Sequence, residues 1–334
     1  MFPNKFLSII QYMDQLSTKL FLFFLTLYLS SSLVISTTFI FVNKCNYTVW
    51  PGLLSNAGIA PISTTGFVLQ SGDSKSITPP ASWGGRFWGR THCSQDSTGK
   101  FTCLTGDCNS GKLECSGNGA TPPATLAEFT LDGYGGLDFF DVSLVDGYNV
   151  PMLVVPQGGS GDNCTSTGCV GDLLTACPSE LRVTSVDGKE SVACRSACEA
   201  FGSAQYCCSG AYGSPNTCKP SSYSQMFKNA CPRAYSYAYD DKTSTFTCAS
   251  ASEYIITFCP PANSKFPSQK SWQGQNPKSD GSDSSAQLNN GSMVYVGAYD
   301  QSEISCSTCI HIWKSKTLLT ITTAMWFLCH IFQF

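Results

Sequence analysis

Sixteen cysteines fall between Cys45 and Cys259 of a 334-residue chain, and that even, bounded set restricts the fold more than any other feature. Such a set reads as a disulfide framework made in an oxidising compartment. Zinc fits poorly: the same stretch holds one histidine, His92, and no paired C-x2-C knuckles. Adjacent Cys207 and Cys208 suit two separate bridges better than one metal site. No metal and no cofactor is expected. Spacing alone cannot choose which cysteine meets which.

Charge narrows the partners. Charged residues make up only 13% of the chain and the formal net charge is −3, with no Lys/Arg run of five or more. There is no basic footprint for nucleic acid. With 42% hydrophobic residues, the composition also argues against a long disordered chain.

Both ends read as processing signals. Leu20 to Ile35 is nearly continuous apolar sequence behind Lys19, and Val34-Ile35-Ser36 supplies permissive residues before a cut. This matches a secretory signal peptide over residues 1–36, with a conventional charged region if the start is Met13 rather than Met1. A retained N-terminal anchor is the weaker reading, because the apolar run is shorter than the roughly 20 residues a span needs. Residues 262–305 are rich in Ser, Asn, Gly, Gln and Asp and read as a flexible linker. Residues 306–334 close in the apolar run Thr317 to Phe334, which suggests a glycosylphosphatidylinositol signal attached near Ser305-Cys306-Ser307. A retained anchoring helix is the alternative. Cys306-x-x-Cys309 has a redox spacing without βαβ surroundings, so an extra bridge or part of the anchor signal is the better reading.

The expected folded domain is 37–261. Strand patterns recur at Thr38–Val42, Tyr47–Trp50, Phe67–Leu69, Phe139–Val145 and Tyr254–Phe258, all β-branched or aromatic. Ser71-Gly72-Asp73, Gly135-Gly136, Asp146-Gly147 and Gly158-Gly159 punctuate them. The pattern predicts a mainly β sandwich. From Cys164 to Cys231 strands thin out and cysteines crowd, which predicts a loop-rich lobe with one helix around Ser191 to Phe201. Sequons stand at Asn46, in a predicted strand, at Asn163 and, in the linker, at Asn290.

The segment Gly99-Lys-Phe-Thr-Cys-Leu-Thr-Gly-Asp-Cys-Asn-Ser-Gly-Lys-Leu-Glu-Cys115 resembles the signature of thaumatin-like proteins. Val42–Pro51, Trp88–Cys93, Pro122–Phe129, Asp138–Asn149, Gln205–Cys208 and Cys231–Tyr237 are similar to family segments as well. The resemblance runs from about Thr38 to Pro260. It implies a flattened β-sandwich with two smaller disulfide-rich lobes and eight bridges: Cys45–Cys259, Cys93–Cys103, Cys108–Cys115, Cys164–Cys248, Cys169–Cys231, Cys177–Cys194, Cys198–Cys207 and Cys208–Cys218.

The resemblance also implies an acidic cleft lined by Arg86, Glu128, Asp141, Asp146 and Asp240. Asp141 and Asp146 are five apart and would face opposite ways on a straight strand, so the chain must turn near Asp146-Gly147. Clustered carboxylates accept hydrogen bonds from sugar hydroxyls, and repulsion between them can leave an acid beside a base. Glycoside hydrolysis needs that pair. Glu128 is the expected acid, Asp141 or Asp146 the base or nucleophile, and Arg86 the group that holds a carboxylate in place. Tyr206, Tyr212, Tyr223, Tyr235, Tyr237 and Tyr239 offer stacking faces, with core packing the commoner use.

The expected function is that of a secreted, monomeric, defence-type wall protein binding β-1,3-glucan, located in the wall or on the outer face of the plasma membrane. Its alternatives are a weak endo-β-1,3-glucanase and a protein that inhibits fungal hydrolases. The sweet taste of the founding member is tied to a strongly basic surface. Residues 39–260 hold 13 basic and 18 acidic side chains, which argues against it.

Overall fold

The computed structural model describes residues 12–24 and 37–261. Residues 12–24 are helical. Among the described residues, no helix is long and apolar enough to cross a membrane. Most of the predicted leader, the linker with Asn290, and the tail with Cys306, Cys309 and Cys329 lie outside the described residues.

Thirteen strands are described from Thr38 onward. One sheet has the order β3 (Ser74–Ile77), β1 (Thr38–Asn43), β13 (Glu253–Phe258), β8 (Met152–Gln157), β9 (Thr167–Cys169). The other runs β12 (Phe246–Ala249), β7 (Leu137–Ser143), β6 (Leu126–Thr130), β4 (Gly84–Gln95), β2 (Trp50–Ser55), with β5 (Phe101–Thr105) hairpinned onto β4. Strands β10 (Arg182–Thr184) and β11 (Ser191–Cys194) pair apart. Short helices α1 (Leu173–Ala176), α2 (Ala197–Phe201), α3 (Ala204–Cys207) and α4 (Ser222–Ala230) fill the cysteine-rich lobe, and α5 (Asp241–Ser244) follows it.

Alternation builds the core. On β1 every second residue, Phe39, Phe41 and Asn43, is buried, and on β13 the same holds for Tyr254, Ile256 and Phe258. Phe87, Phe129 and Phe140 meet them from the facing sheet. The Phe39 ring lies 4.7 Å from those of both Phe87 and Phe129, edge to face. Buried Asn43 stays satisfied: its amide donates to the carbonyls of Tyr47 and Leu69 and accepts from the Cys45 backbone N–H. Strands β1 and β13 are parallel and end together, where Cys45–Cys259 joins them. The other bridges are Cys93–Cys103, Cys108–Cys115, Cys164–Cys248, Cys169–Cys231, Cys177–Cys194, Cys198–Cys207 and Cys208–Cys218. These are the pairs the resemblance implies.

Three local expectations are corrected, and one strand was not foreseen. The helix predicted around Ser191 to Phe201 is strand β11 followed by the one-turn helix α2, because Ser196 caps a new start by accepting from the Glu199 N–H. Asn46 sits in an exposed bend between β1 and β2, not in a strand, since Asn43 pulls the chain into a turn at Tyr47. Phe67 to Leu69 makes isolated bridges only. The longest strand, β4, has no periodic apolar signal. Gly52 explains part of it: a side chain there would meet the Trp88 ring at 2.4 Å, so the glycine on β2 leaves the space that the indole of β4 fills.

A fully buried Arg90 ties β4 to its neighbours. Its guanidinium donates to the carbonyls of Trp50, Pro51 and Leu113. Burial lowers its pKa to about 10, with Asp107 and Glu114 opposing. Arg90→Met leaves three buried carbonyls without their charged donor. The expected cost is about 3 kcal/mol, read as a lower midpoint in chemical denaturation with unchanged slope.

Candidate functional site

Strand register assembles the site. On β4, β6 and β7, Arg86 stands opposite Glu128, and Glu128 opposite Asp141. Directly opposed residues bring their Cβ atoms to about 5 Å, so the three form one continuous row. Their neighbours Phe87, Phe129 and Phe140 point into the core, so the row lies on the other face of the sheet. The same face carries a second small apolar cluster of Trp88, Ala124 and Leu126 packed on Cys108 and Cys115.

Asp146 joins the row through a turn. Strand β7 ends at Ser143, the Gly147 N–H donates to the Leu144 carbonyl, and Gly147 has φ of +89°. A side chain at Gly147 would meet the Cys194 carbonyl at 2.6 Å, so glycine is needed for both conformation and space. The turn brings Asp146 into electrostatic reach of Glu128.

These surroundings set the protonation states. Burial pushes the Glu128 carboxyl up to about 7. Arg86 pulls it down and Asp146 adds to the rise. Asp141 is 1% exposed, and neither carboxylate oxygen has a hydrogen-bond partner. Burial, then Glu128, then Asp241 hold it well above the usual carboxylate range. Glu199 on α2, facing Asp146 from the lobe, is raised by burial and by Asp146 against Arg195. Burial and mutual repulsion therefore bias the carboxyls of the site toward the protonated form, which donates as well as accepts hydrogen bonds.

Asp240 is placed differently from the other four. Its carboxylate accepts from the Ser236 N–H and hydroxyl at 3.0 Å each and from the Thr243 hydroxyl at 3.1 Å, and it pairs with Lys228 at 2.9 Å. The adjacent Asp241 is the acid that interacts with Asp141. Asp241 also accepts from the Tyr235 hydroxyl at 2.9 Å. Sequence reasoning passed over Asp241 and Glu199, and it offered Tyr235 as a stacking face or a core side chain without linking it to Asp141. A tandem Asp-Asp carries no signal for which carboxyl turns inward. Tyr235 is 8% exposed, and its backbone N–H donates to Val142 on β7, which sets it beside Asp141 as a wall. Among the described residues, no cluster of His, Cys, Asp and Glu has the arrangement of a metal site.

A cavity of about 20 Å³ lies between Val145, beside Asp146, and lobe residues including Ser196, Tyr206 and Tyr237. That is room for one water and not for a sugar ring.

Comparison with known proteins agrees with this architecture. The Thaumatin family pattern matches residues 43–260. The chain is 60% identical over 246 residues to Thaumatin-like protein 1 of Arabidopsis thaliana, covering 72% of this chain and 92% of that protein. It is 58% identical over 225 residues to Pathogenesis-related thaumatin-like protein 3.5 of Cryptomeria japonica, covering 67% and 90%. It is 55% identical over 225 residues to a protein of Prunus avium named Glucan endo-1,3-beta-glucosidase, covering 67% and 91%. The matched span encloses all eight bridges and the whole carboxyl row, and the chain belongs to the thaumatin family.

Proposed function

We propose that this protein is a secreted, wall-associated defence protein that binds β-1,3-glucan along the Arg86–Glu128–Asp141 row, with Asp146 at one end. The observation that carries the reading is the row itself: three cross-strand neighbours, one cationic and two acidic, lifted off the core face and partly neutralised by burial. A pyranose chain offers hydroxyls that both donate and accept, and neutral carboxyls match both. The Prunus avium relative, named for glucan hydrolysis, supports the choice of polymer. Eight disulfides suit an extracellular address. The anchor, signal-peptide and glycan assignments of the flanking segments belong to this proposal.

A weak endo-β-1,3-glucanase activity is a second reading, favoured by one observation. A carboxyl titrating near 7 is protonated often enough at neutral pH to serve as general acid. Glu128 is that acid, and Asp146, its electrostatic neighbour, is the partner carboxyl.

Incubation with insoluble β-1,3-glucan separates the readings. The wild-type domain is expected to be depleted from solution. Glu128→Leu removes the hydrogen bonds and is expected to weaken retention about tenfold or more. Glu128→Gln keeps retention within a few-fold, and any release of reducing sugar drops by about 10²-fold or more. Wild-type protein that stays wholly in solution removes both carbohydrate readings and leaves inhibition of a fungal hydrolase as the surviving class.

A further inference from the structure

The segment from Ala234 to Ser244 carries Tyr235 and Asp241, which face Asp141 from outside the sheet, and one side chain grips it at three points. Lys228, on α4, donates to the Ala234 carbonyl at 3.0 Å, to Asp240 at 2.9 Å and to the Ser244 hydroxyl at 2.7 Å. These partners sit at the start, near the middle and at the end of the segment. An ammonium has three donors, and all three are used. The base of the grip is firm. Helix α4 opens with a capping box between Ser221 and Ser224, buries Phe227, and is followed at once by the Cys169–Cys231 bridge.

We propose that Lys228 is the positioning residue of the carboxyl row: from the disulfide lobe it fixes the 234–244 segment so that Tyr235 and Asp241 stand against Asp141. Asp240 is then part of the clamp, and Asp241 is the acid that works with the row. The groups facing Asp141 are Glu128 from β6, Tyr235 from the segment, and Asp241 from α5. Arg86 acts on Glu128. The three partners of Lys228 all belong to the 234–244 segment, so its effect on Asp141 passes through the segment it holds. The consequence for ligand binding rests on the glucan reading above, whereas the positioning itself does not.

Two variants test it, Lys228→Met and Asp240→Asn, each compared with Lys189→Met, an exposed lysine paired loosely with Asp187. The readout is a ¹³C titration of the Asp141 carboxyl in protein without ligand. Releasing the segment hydrates Asp141, so its midpoint is expected to fall toward ordinary carboxylate values in both clamp variants and to stay put in Lys189→Met. In Lys228→Met the direction separates mechanisms, because loss of a nearby positive charge alone would raise a carboxylate midpoint, whereas loss of the Asp240 charge would lower it without any movement. An unchanged or raised midpoint in a folded clamp variant overturns the proposal. Should Lys228→Met not fold, Lys228→Gln removes the same charge, keeps a polar head that can satisfy one of the three acceptors, and still decides the question by the direction of the shift. Retention on insoluble β-1,3-glucan is expected to fall about fivefold in the clamp variants. If the wild-type protein does not bind glucan, the glucan reading fails while the titration still tests the clamp.

Discussion

Replacing Cys45 and Cys259 together by serine is expected to lower the melting temperature by about 6–16 °C. This bridge closes the longest loop of the eight, with a sequence separation of 214. Chain-entropy reasoning gives a bridge over such a loop several kcal/mol, and the seven others shorten the effective loop, so about 3–4 kcal/mol is the working figure. For a domain of this size each kcal/mol moves the midpoint by roughly 2–4 °C. The native state loses little in exchange, because β1 and β13 keep their six-residue parallel register and the core face of Phe39, Phe41, Tyr254, Ile256 and Phe258. The expected signature in differential scanning calorimetry is a lower midpoint with the transition still cooperative. Equal midpoints for the two proteins would show that the denatured chain gains no freedom from opening this loop.

The second large effect is on pH. Glu128 titrates at about 7 in the folded protein and near 4.5 when unfolded. A carboxyl whose folded value is raised contributes stability in full below its unfolded value and loses it as pH rises through the folded one. Here the window runs from about 4.5 to 7. A shift of this size corresponds to roughly 3 kcal/mol, or about 6–12 °C in melting temperature, with the protein more stable at pH 5 than at pH 8. Asp141, raised by burial, Glu128 and Asp241, acts with the same sign. Glu114 acts the other way: Thr65 and Thr64 hold its carboxylate below the ordinary range despite burial, so its contribution is lost as pH falls. Thermal scans from pH 4.5 to 8 check the prediction. Glu128→Gln is expected to flatten most of the slope, and a wild-type midpoint that rises with pH across this window would contradict it.

The parts legible in the sequence are those in which chemistry sits at fixed spacing. The sixteen cysteines limited the class, the family resemblance implied the pairing, and β-branched and aromatic runs named β1, β7 and β13. What stayed hidden depends on space and not on pattern. Strand β4 reads Gly-Gly-Arg-Phe-Trp-Gly-Arg at its start, with few of the β-branched residues that mark a strand, and it forms because neighbouring glycines leave room for Trp88. Arg90 looks like a surface charge in sequence and is buried, since carbonyls from β2 and from the 108–115 loop converge on it. The parity argument for Asp141 and Asp146 anticipated a turn at Gly147, because period two leaves no other way to bring both to one side. The choice between Asp240 and Asp241 had no such handle. It is made by Lys228, twelve positions upstream of Asp240, on an element whose own place is set by bridges.

The parallel pairing of β1 with β13 also bears on how the chain is made. A ribosome adding about 5–20 residues per second needs roughly 10–40 s to travel from Asn43 to Phe258. For that time β1 lacks its parallel partner, and its one other hydrogen-bonded strand is the short β3. The sheet can therefore be completed only after its final strand has left the tunnel, so nascent molecules present a half-paired strand during synthesis. Chaperone capture of β1 at that stage would matter more to yield than anything in the finished domain.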